Sequence, residues 1–373
     1  MKKKLIIVSV IGLSLYVLSW LTGTQYVWKA IVYNYVDYDD YKIFDNRTIA
    51  HERVVAWEEA TPQRSVQLPM DLDNYLTEME SIGVLAIRND SIICEKYWDD
   101  YDETTLANSF SVAKSYISML VGFALKDGSI SSLDQSVRDF LPSLDEATFQ
   151  DIKLKHLITM SSGLEWIESY GGPINHTTES YYGKDLWRLV SNLKKEHDPG
   201  KVYNYKGCDP QLLAYVIEKA TGNTVTQYLS KKFWKPVGSN ADGLWSVDHE
   251  EGIEKAYCCI NTNVRNFARI GKLYLNYGNW NGRQLLDSSW IAESTRPHGL
   301  PNTEGVATQY YGYQWWCMND MDKNVFYCRG LNGQYVICFP EKNLVIVRVG
   351  HKRETSGNHP TDLVKLVEWG ETL

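Results

Sequence analysis

A serine three residues before a lysine is the most suggestive chemical pattern in this chain, and it occurs twice. The copies are residues 111–114 (SVAK) and 191–194 (SNLK), no more than the serine and lysine content predicts by chance. On a helix, a spacing of three brings both side chains onto one face. A lysine amine that burial keeps neutral can take the proton of the serine hydroxyl and make the serine a nucleophile. The pattern therefore suggests acyl transfer.

The surroundings of the two copies differ. Ser111 stands where the chain enters an apolar run, so it is predicted in the first turn of a helix whose packing surrounds Lys114. A helix N-terminus also favours negative charge that develops on the serine oxygen. Ser191 instead runs into the charged residues 195–197, where a lysine is solvated. We predict Ser111 and Lys114 as the reactive pair; on these residues alone, a helix cap beside a lysine that reaches solvent stays open.

Other catalytic signatures do not occur in the sequence. It has no G-x-S-x-G, no H-E-x-x-H and no C-x-x-C. Its cysteines are odd in number and scattered, at Cys94, Cys208, Cys258, Cys259, Cys317, Cys328 and Cys338. The sequence therefore implies no disulfide framework and no zinc site, and we expect neither a metal nor an organic cofactor.

Composition excludes several classes of protein. The 373 residues, 44% hydrophobic and 23% charged, can bury a large core, which rules out general disorder. A net charge of −8, without a block of five like charges, makes nucleic acid a poor partner. The 13 Trp and 25 Tyr suit an aromatic-walled cleft and a large core equally well. No obligate protein partner is evident.

The N-terminus is typical of an export or anchor signal. Three lysines at positions 2–4 precede residues 5–21, which carry no charge. That length is at the low edge of the ~17 to 25 residues that span a bilayer and above the ~7 to 15 of a signal-peptide core. We expect residues 1–24 to be a membrane anchor or a cleaved signal. The rest of the chain would then be periplasmic or extracytoplasmic, or secreted.

The remaining chain divides into a spacer that packs on the domain, residues 25–69, and the folded domain itself, residues 70–373. Strand-like runs at 83–88 and 91–97, joined by Asn89-Asp90, predict a β-hairpin. Helices are predicted over 112–126, 212–220, 265–276 and 361–369, and strands over 313–317, 325–328, 334–339 and 344–349. Strands at both ends with helices between them predict an α+β fold: an antiparallel sheet formed from N- and C-terminal segments, flanked by helices, with a mainly helical inserted subdomain.

Six segments in order carry a family resemblance: 108–115, 154–164, 199–205, 211–222, 311–316 and 330–334. Together they resemble the penicillin-recognising serine hydrolases, in the branch of class C β-lactamases, related esterases and 6-aminohexanoate-dimer hydrolase. The resemblance implies that Ser111 is the acylated nucleophile and Lys114 its base. It also implies that Tyr205 relays a proton to the leaving group, with Tyr203 as a rival for that role.

The third family motif falls on residues 330–333. It implies an oxyanion hole formed by the backbone N–H groups of Ser111 and Gln334, with Gly333 allowing a close backbone approach near the substrate. Trp166, Tyr182 and Trp316 are candidates for the cleft wall, against a role in core packing.

Two departures from the family pattern concern the substrate. The segment after Tyr205 lacks the usual asparagine and has Lys206, which we expect to be solvated. Leu331 replaces the usual lysine or histidine that binds a carboxylate, so we expect a neutral ester to be preferred over a β-lactam or a D-alanyl-D-alanine peptide. If carboxylate-bearing substrates are preferred instead, Lys206 or Arg329 would supply the cation.

The expected function is an exported or membrane-anchored serine hydrolase for a small ester or amide. A peptidoglycan DD-peptidase, a β-lactamase and a non-turnover module that binds cell-wall fragments remain alternatives.

Overall fold

The computed structural model describes residues 2–355 and 357–373, with side chains from residue 12 onward. The chain begins with helices α1 (Lys2–Thr22) and α2 (Tyr26–Tyr33), strands β1 (Asn46–Ile49) and β2 (Glu58–Glu59), and helix α3 (Met70–Glu78). Met1, the first residue of the predicted anchor or signal, lies outside the described residues. Within residues 2–355 and 357–373, no helix has both the length and the apolar composition that crossing a membrane requires.

The predicted hairpin is confirmed, and it is followed by the predicted helix. Strands β3 (Ser81–Arg88) and β4 (Ser91–Tyr97) pair antiparallel, and Asn89 and Asp90 between them both have positive φ, as a tight two-residue turn requires. A short strand, β5 (Ala107–Asn108), then leads into helix α4 (Val112–Lys126). Gly128, at φ +76°, follows the end of that helix.

The middle of the chain is mainly helical. It contains α5 (Val137–Phe140), α6 (Glu146–Phe149), α7 (Leu154–Ile158), α8 (His176–Tyr182), α9 (Leu186–Ser191), α10 (Cys208–Thr221), α11 (Val225–Leu229) and a π-helical turn at Ser230–Trp234. After it come β6 (Gly243–Ser246), β7 (Ile260–Thr262), α12 (Val264–Leu275), β8 (Asn279–Trp280), β9 (Arg283–Gln284) and α13 (Ser288–Ser294). The chain ends with β10 (Trp316–Cys317), β11 (Phe326–Arg329), β12 (Tyr335–Phe339), β13 (Leu344–Gly350) and α14 (Thr361–Thr372).

The main sheet joins the two ends of the domain. Its seven strands are ordered β10-β11-β12-β13-β3-β4-β2, and all pairs are antiparallel except β2 with β4. Alternate residues of β12 face opposite sides: Val336 and Cys338 join the core beneath α4 and α12, whereas Ile337 and Phe339 join the core beneath α14. The predicted α+β fold, with a sheet from N- and C-terminal segments and a helical insertion, is confirmed.

Three features differ from the sequence-based description. A second, four-stranded sheet has the order β1-β6-β7-β5, and its strand β5 ends three residues before Ser111. Segment 25–69 supplies β1 to this sheet and β2 to the main sheet. The strand predicted over 313–317 is confined to Trp316–Cys317, because Gln314 takes a left-handed φ of +59° and bends the chain before it.

Candidate active site

Ser111 and Lys114 meet at the start of α4. Lys114 Nζ donates a hydrogen bond to Ser111 Oγ over 2.9 Å. Ser111 is half-buried, but Lys114 is only 2% exposed. Ser111 makes no capping hydrogen bond with its side chain. The same contact allows a proton to pass from Oγ to Nζ whenever the amine is unprotonated.

Lys114 is held in place by groups distant in sequence. Its Nζ also donates to the backbone oxygen of Tyr257 over 2.9 Å. The same nitrogen lies 4.9 Å from the ring centroid of Tyr205 and 5.9 Å from that of Tyr257. No carboxylate among the described residues forms an ion pair with it. The amine is therefore oriented by a carbonyl and two aromatic rings, and Tyr257 is a contact that the sequence did not indicate.

The turn before Ser111 is tightly fixed. Ser109 N–H donates to Ile260 O over 2.7 Å, and Ile260 N–H donates back to Ser109 Oγ over 3.0 Å. Phe110 adopts a positive φ of +42°, a conformation that costs an aromatic residue free energy, and its N–H donates to Asn108 Oδ1. Strained backbone of this kind persists where surrounding contacts over-determine it. Ser111 follows at the N-cap position of α4 with helical φ and ψ, and its hydroxyl is not used as a cap.

Tyr205, rather than its rival Tyr203, borders the Ser111–Lys114 pair. The half-buried Tyr205 ring lies between Lys114 and Trp316, with a centroid distance of 5.4 Å to Trp316. Tyr203 is buried against His298 and Tyr311 instead. Burial raises the pKa of Tyr203 well above its ordinary value, so this phenol stays protonated.

The glycine-flanked segment approaches the nucleophile through Gly330. A Cβ added to Gly330 would overlap the backbone oxygen of Ser109, so the end of β11 must carry a glycine there. Neither the Ser111 N–H nor the Gln334 N–H has a hydrogen-bond acceptor among the described residues. Two free N–H donors at this junction suit an oxyanion hole.

Gly333 packs against a buried arginine rather than against the turn before Ser111. It has φ +81°, and a Cβ there would overlap Nη1 of the buried Arg348 rather than a group of the nucleophile. Gly330 makes the close approach to the turn before Ser111, and contact of Gly333 with a substrate stays a prediction. Leu331 is half-buried in the turn between these glycines.

The candidate wall residues separate into two groups. Trp316 lies beside Tyr205 and is covered by the Arg329 guanidinium, 3.6 Å from its ring centroid. Trp166 Nε1 donates to Glu168 Oε2, and the same oxygen accepts from the Gly207 N–H. Trp166 is thereby linked to the segment that follows Tyr205. The structure thus brings Trp316 and Trp166 to the surroundings of Tyr205.

Tyr182 belongs to the second group. Its ring is buried among Tyr33, Phe44 and Tyr181, against α2. This is the core-packing role that the sequence left open for it.

The expectation that Lys206 is solvated is wrong. The side chain is 1% exposed, and Nζ donates to Leu164 O over 2.5 Å. Asp209, three residues further on and in the first turn of α10, is fully buried and accepts from Ser162 Oγ over 2.5 Å. Burial raises the pKa of Asp209 to about 6, an effect that the nearby Lys206 opposes. Lys206 is therefore an internal structural cation.

A disulfide that the sequence did not suggest lies next to Tyr257. Adjacent Cys258 and Cys259 form a disulfide directly after Tyr257, and Cys259 has φ +75°. The other five cysteines are free and buried.

In the part of the chain that the structure describes, no group of three or more His, Cys, Asp or Glu could hold a metal ion.

Comparisons with known proteins give matches over most of the chain. The family model described as Beta-lactamase matches residues 72–367. The 6-aminohexanoate-dimer hydrolase of Paenarthrobacter ureafaciens is 23% identical over 313 residues, which cover 79% of this chain and 78% of that protein. A solved structure from Bacillus anthracis, provisionally named for the same hydrolase, superposes with a TM-score of 0.75 at 20% identity and covers 88% of this chain and 89% of its own. A family VIII carboxylesterase gives 0.64 at 16% identity, covering 81% and 95%.

Proposed function

The chain belongs to the β-lactamase family of serine hydrolases, and from that premise we propose that it cleaves a small ester or amide through an acyl-enzyme on Ser111. The observation that carries the proposal is the 2.9 Å contact between Lys114 Nζ and Ser111 Oγ, made by a buried amine at a helix start. A serine hydroxyl needs such a neighbour to become nucleophilic.

In the first step, Ser111 Oγ attacks the substrate carbonyl carbon while its proton passes to Lys114 Nζ. The carbonyl oxygen becomes an oxyanion, which the N–H groups of Ser111 and Gln334 stabilise. The positive end of α4 adds to this stabilisation. Each of these donors is backbone, so the oxyanion hole depends on chain geometry rather than on particular side chains.

In the second step, the bond to the leaving group breaks. The alcohol or amine leaves with a proton that Tyr205 supplies and then regains from Lys114; this role is supported by the Tyr205 ring, whose centroid lies 4.9 Å from Lys114 Nζ. Water next attacks the acyl ester, its proton returning through the same groups, and releases the acid with Ser111 restored. The cycle consumes one water and needs no cofactor.

The substrate proposed is a neutral ester or amide. Lys206 is internal, and Leu331 offers apolar surface where the family places a cation. Burying apolar surface contributes roughly 25 cal/mol per Å², which favours an uncharged acyl or alcohol group.

A substrate screen tests the proposal. Purified protein is assayed with p-nitrophenyl esters, linear amides, nitrocefin and a D-alanyl-D-alanine peptide, and acylation is followed by intact mass. Turnover of neutral esters, lost in Ser111→Ala, is the expected result. A single burst without turnover would instead identify the non-turnover binding module, and a preference for nitrocefin or the peptide would identify the β-lactamase or DD-peptidase alternative.

We also propose that the enzyme acts outside the cytoplasm, because three lysines precede the uncharged residues 5–21. A reporter enzyme that works only outside the cytoplasm should be active when it is fused after Leu373. Activity at the same position of a reporter that works only in the cytoplasm would contradict this part of the proposal. N-terminal sequencing of the mature chain separates an anchor from a cleaved signal.

A further inference from the structure

A buried guanidinium supports the proposed oxyanion hole from behind. Arg348, in the middle of β13, is 0% exposed. Its Nη1 donates to Gly333 O over 3.0 Å and to Asn332 O over 3.2 Å. Its remaining partners are also internal: Lys352 O, Met79 O, Ser81 Oγ and Asp362 Oδ2. Arg348 therefore joins the glycine-flanked segment to the centre of the main sheet.

The bond to Gly333 O has a chemical consequence. This oxygen and the Gln334 N–H belong to one planar peptide group, so a cation that fixes the oxygen also fixes the direction of the N–H. A charged donor on the carbonyl also withdraws electron density from the peptide nitrogen, which makes its N–H a stronger donor. We propose that Arg348 is a positioning residue for catalysis, which orients and polarises the Gly333–Gln334 peptide. This inference rests on the proposed function.

Two further contacts fit that role. Gly333 lacks the Cβ that would overlap Arg348 Nη1, so a glycine at this position lets the guanidinium reach the carbonyl. The Gln334 side chain makes two hydrogen bonds with the backbone of Gly350. Its Oε1 accepts from the Gly350 N–H over 3.1 Å, and its Nε2 donates to the Gly350 oxygen over 2.6 Å. The peptide is thus held at both ends while its N–H has no acceptor among the described residues.

The Arg348–Asp362 pair also bears on stability, which has to be tested apart from the effect on the peptide. Arg348 and Asp362 are both fully buried, 3.4 Å apart. Well-packed apolar residues can often replace a buried ion pair without loss of stability, whereas removal of one partner leaves a costly unpaired charge. A double substitution therefore removes the guanidinium without leaving an unpaired buried carboxylate, and its Tm reports the separate effect on folding.

The experiment compares wild type with the double variant Arg348→Met/Asp362→Leu. A p-nitrophenyl ester gives kcat and KM, a boronic acid reports affinity for the tetrahedral state, and infrared spectroscopy reports the carbonyl stretch of a trapped acyl-enzyme. Loss of one oxyanion donor costs about 10²- to 10³-fold in kcat, so a weakened donor should cost about 10- to 100-fold in kcat and boronate affinity. KM should stay unchanged, and the carbonyl stretch should move to higher frequency as its hydrogen bond weakens.

A matched control is Arg269→Met. Arg269 is 1% exposed and donates to Val237 O and Val55 O, so its loss disturbs a buried guanidinium away from the oxyanion segment. We expect a lower Tm with kcat, boronate affinity and carbonyl stretch unchanged. Equal losses in both variants would make the effect a general one of stability and overturn the inference.

A folded double variant with wild-type kcat and boronate affinity would also overturn it. Should the double variant not fold, Arg348→Lys keeps the charge but loses the fork of donors. A fall in boronate affinity in that variant supports the role, and wild-type affinity refutes it. Failure of the proposed function is seen separately, as wild-type turnover that survives in Ser111→Ala.

Discussion

The two S-x-x-K tetrapeptides occupy opposite ends of their helices. Ser111 directly precedes α4, which continues through Lys114 for three more turns, and Lys114 Nζ contacts Ser111 Oγ. Ser191 is the last residue of α9, and Lys194 lies exposed beyond it. The same spacing thus produces a contact in one region and none in the other. The lysine contacts the serine only where the helix continues through the lysine and where core residues bury its amine.

The largest expected difference between the two regions is in nucleophilicity. Ser111→Ala should abolish labelling by a fluorophosphonate and lower turnover by roughly 10⁴- to 10⁶-fold, the scale for loss of a catalytic nucleophile. Ser191→Ala should leave both unchanged, because no amine activates its hydroxyl. Labelling is read by mass spectrometry of the two peptides. A probe found on Ser191 would break the comparison.

Proton transfer should give the next largest difference. Lys114→Ala and Tyr205→Phe should each lower kcat by roughly 10²- to 10⁴-fold, as expected when a positioned acid or base is lost. Lys194→Ala and Tyr203→Phe are the matched controls, since both side chains lie away from Ser111, and they should retain kcat. Steady-state kinetics with a p-nitrophenyl ester checks this, after circular dichroism has shown that each variant is folded. Full activity in Lys114→Ala would refute the assignment of the base.

Specificity should depend on the residue at position 331, in the turn of the glycine-flanked segment. A charged hydrogen bond to a carboxylate contributes about 1.5 to 3 kcal/mol, so Leu331→Lys should raise kcat/KM for nitrocefin or a D-alanyl-D-alanine peptide by roughly ten- to a hundredfold. The wild type should prefer a short neutral ester. The ratio of kcat/KM values measures the change. A wild type that already prefers carboxylate-bearing substrates would direct attention to Arg329, which stacks on Trp316 beside Tyr205.

The smallest effect concerns stability. Lys114 is buried without a carboxylate partner among the described residues, so Lys114→Met should stabilise the protein by about 1 kcal/mol while it removes activity. Lys194→Met, at an exposed site, should stay within about ±0.5 kcal/mol of wild type. Urea denaturation compares the two free energies of unfolding. A destabilised Lys114→Met would mean that the hydrogen bond to Tyr257 O outweighs the cost of burying the amine.

Much of the fold could be predicted because its signals are local. The Asn89-Asp90 turn, the apolar run of α4 and the amphipathic pattern of α12 each lie within about fifteen residues. The resemblance placed Ser111, Lys114 and Tyr205 in one site, and the structure brings these three together.

The rest depends on contacts between distant segments. Lys206 looks like a surface lysine, yet its amine reaches Leu164 O, 42 residues earlier in the chain. The acceptor for Lys114 is the backbone oxygen of Tyr257, a group that any residue type provides. Strand β2 pairs with β4 through two residues that carry no strand pattern. No periodicity or spacing could have indicated these partners.

The disulfide between Cys258 and Cys259 closes the shortest loop that two cysteines can form. In the chain-entropy account, cross-linking adjacent residues removes little freedom from the unfolded chain, about 1 kcal/mol against about 3 for a 15-residue loop. The bond therefore contributes little to holding the fold together. The bond restricts the single peptide unit between the two cysteines. That unit directly follows Tyr257, whose backbone oxygen accepts the hydrogen bond from Lys114 Nζ. The disulfide therefore lowers the backbone entropy beside this acceptor rather than raising the stability of the whole fold.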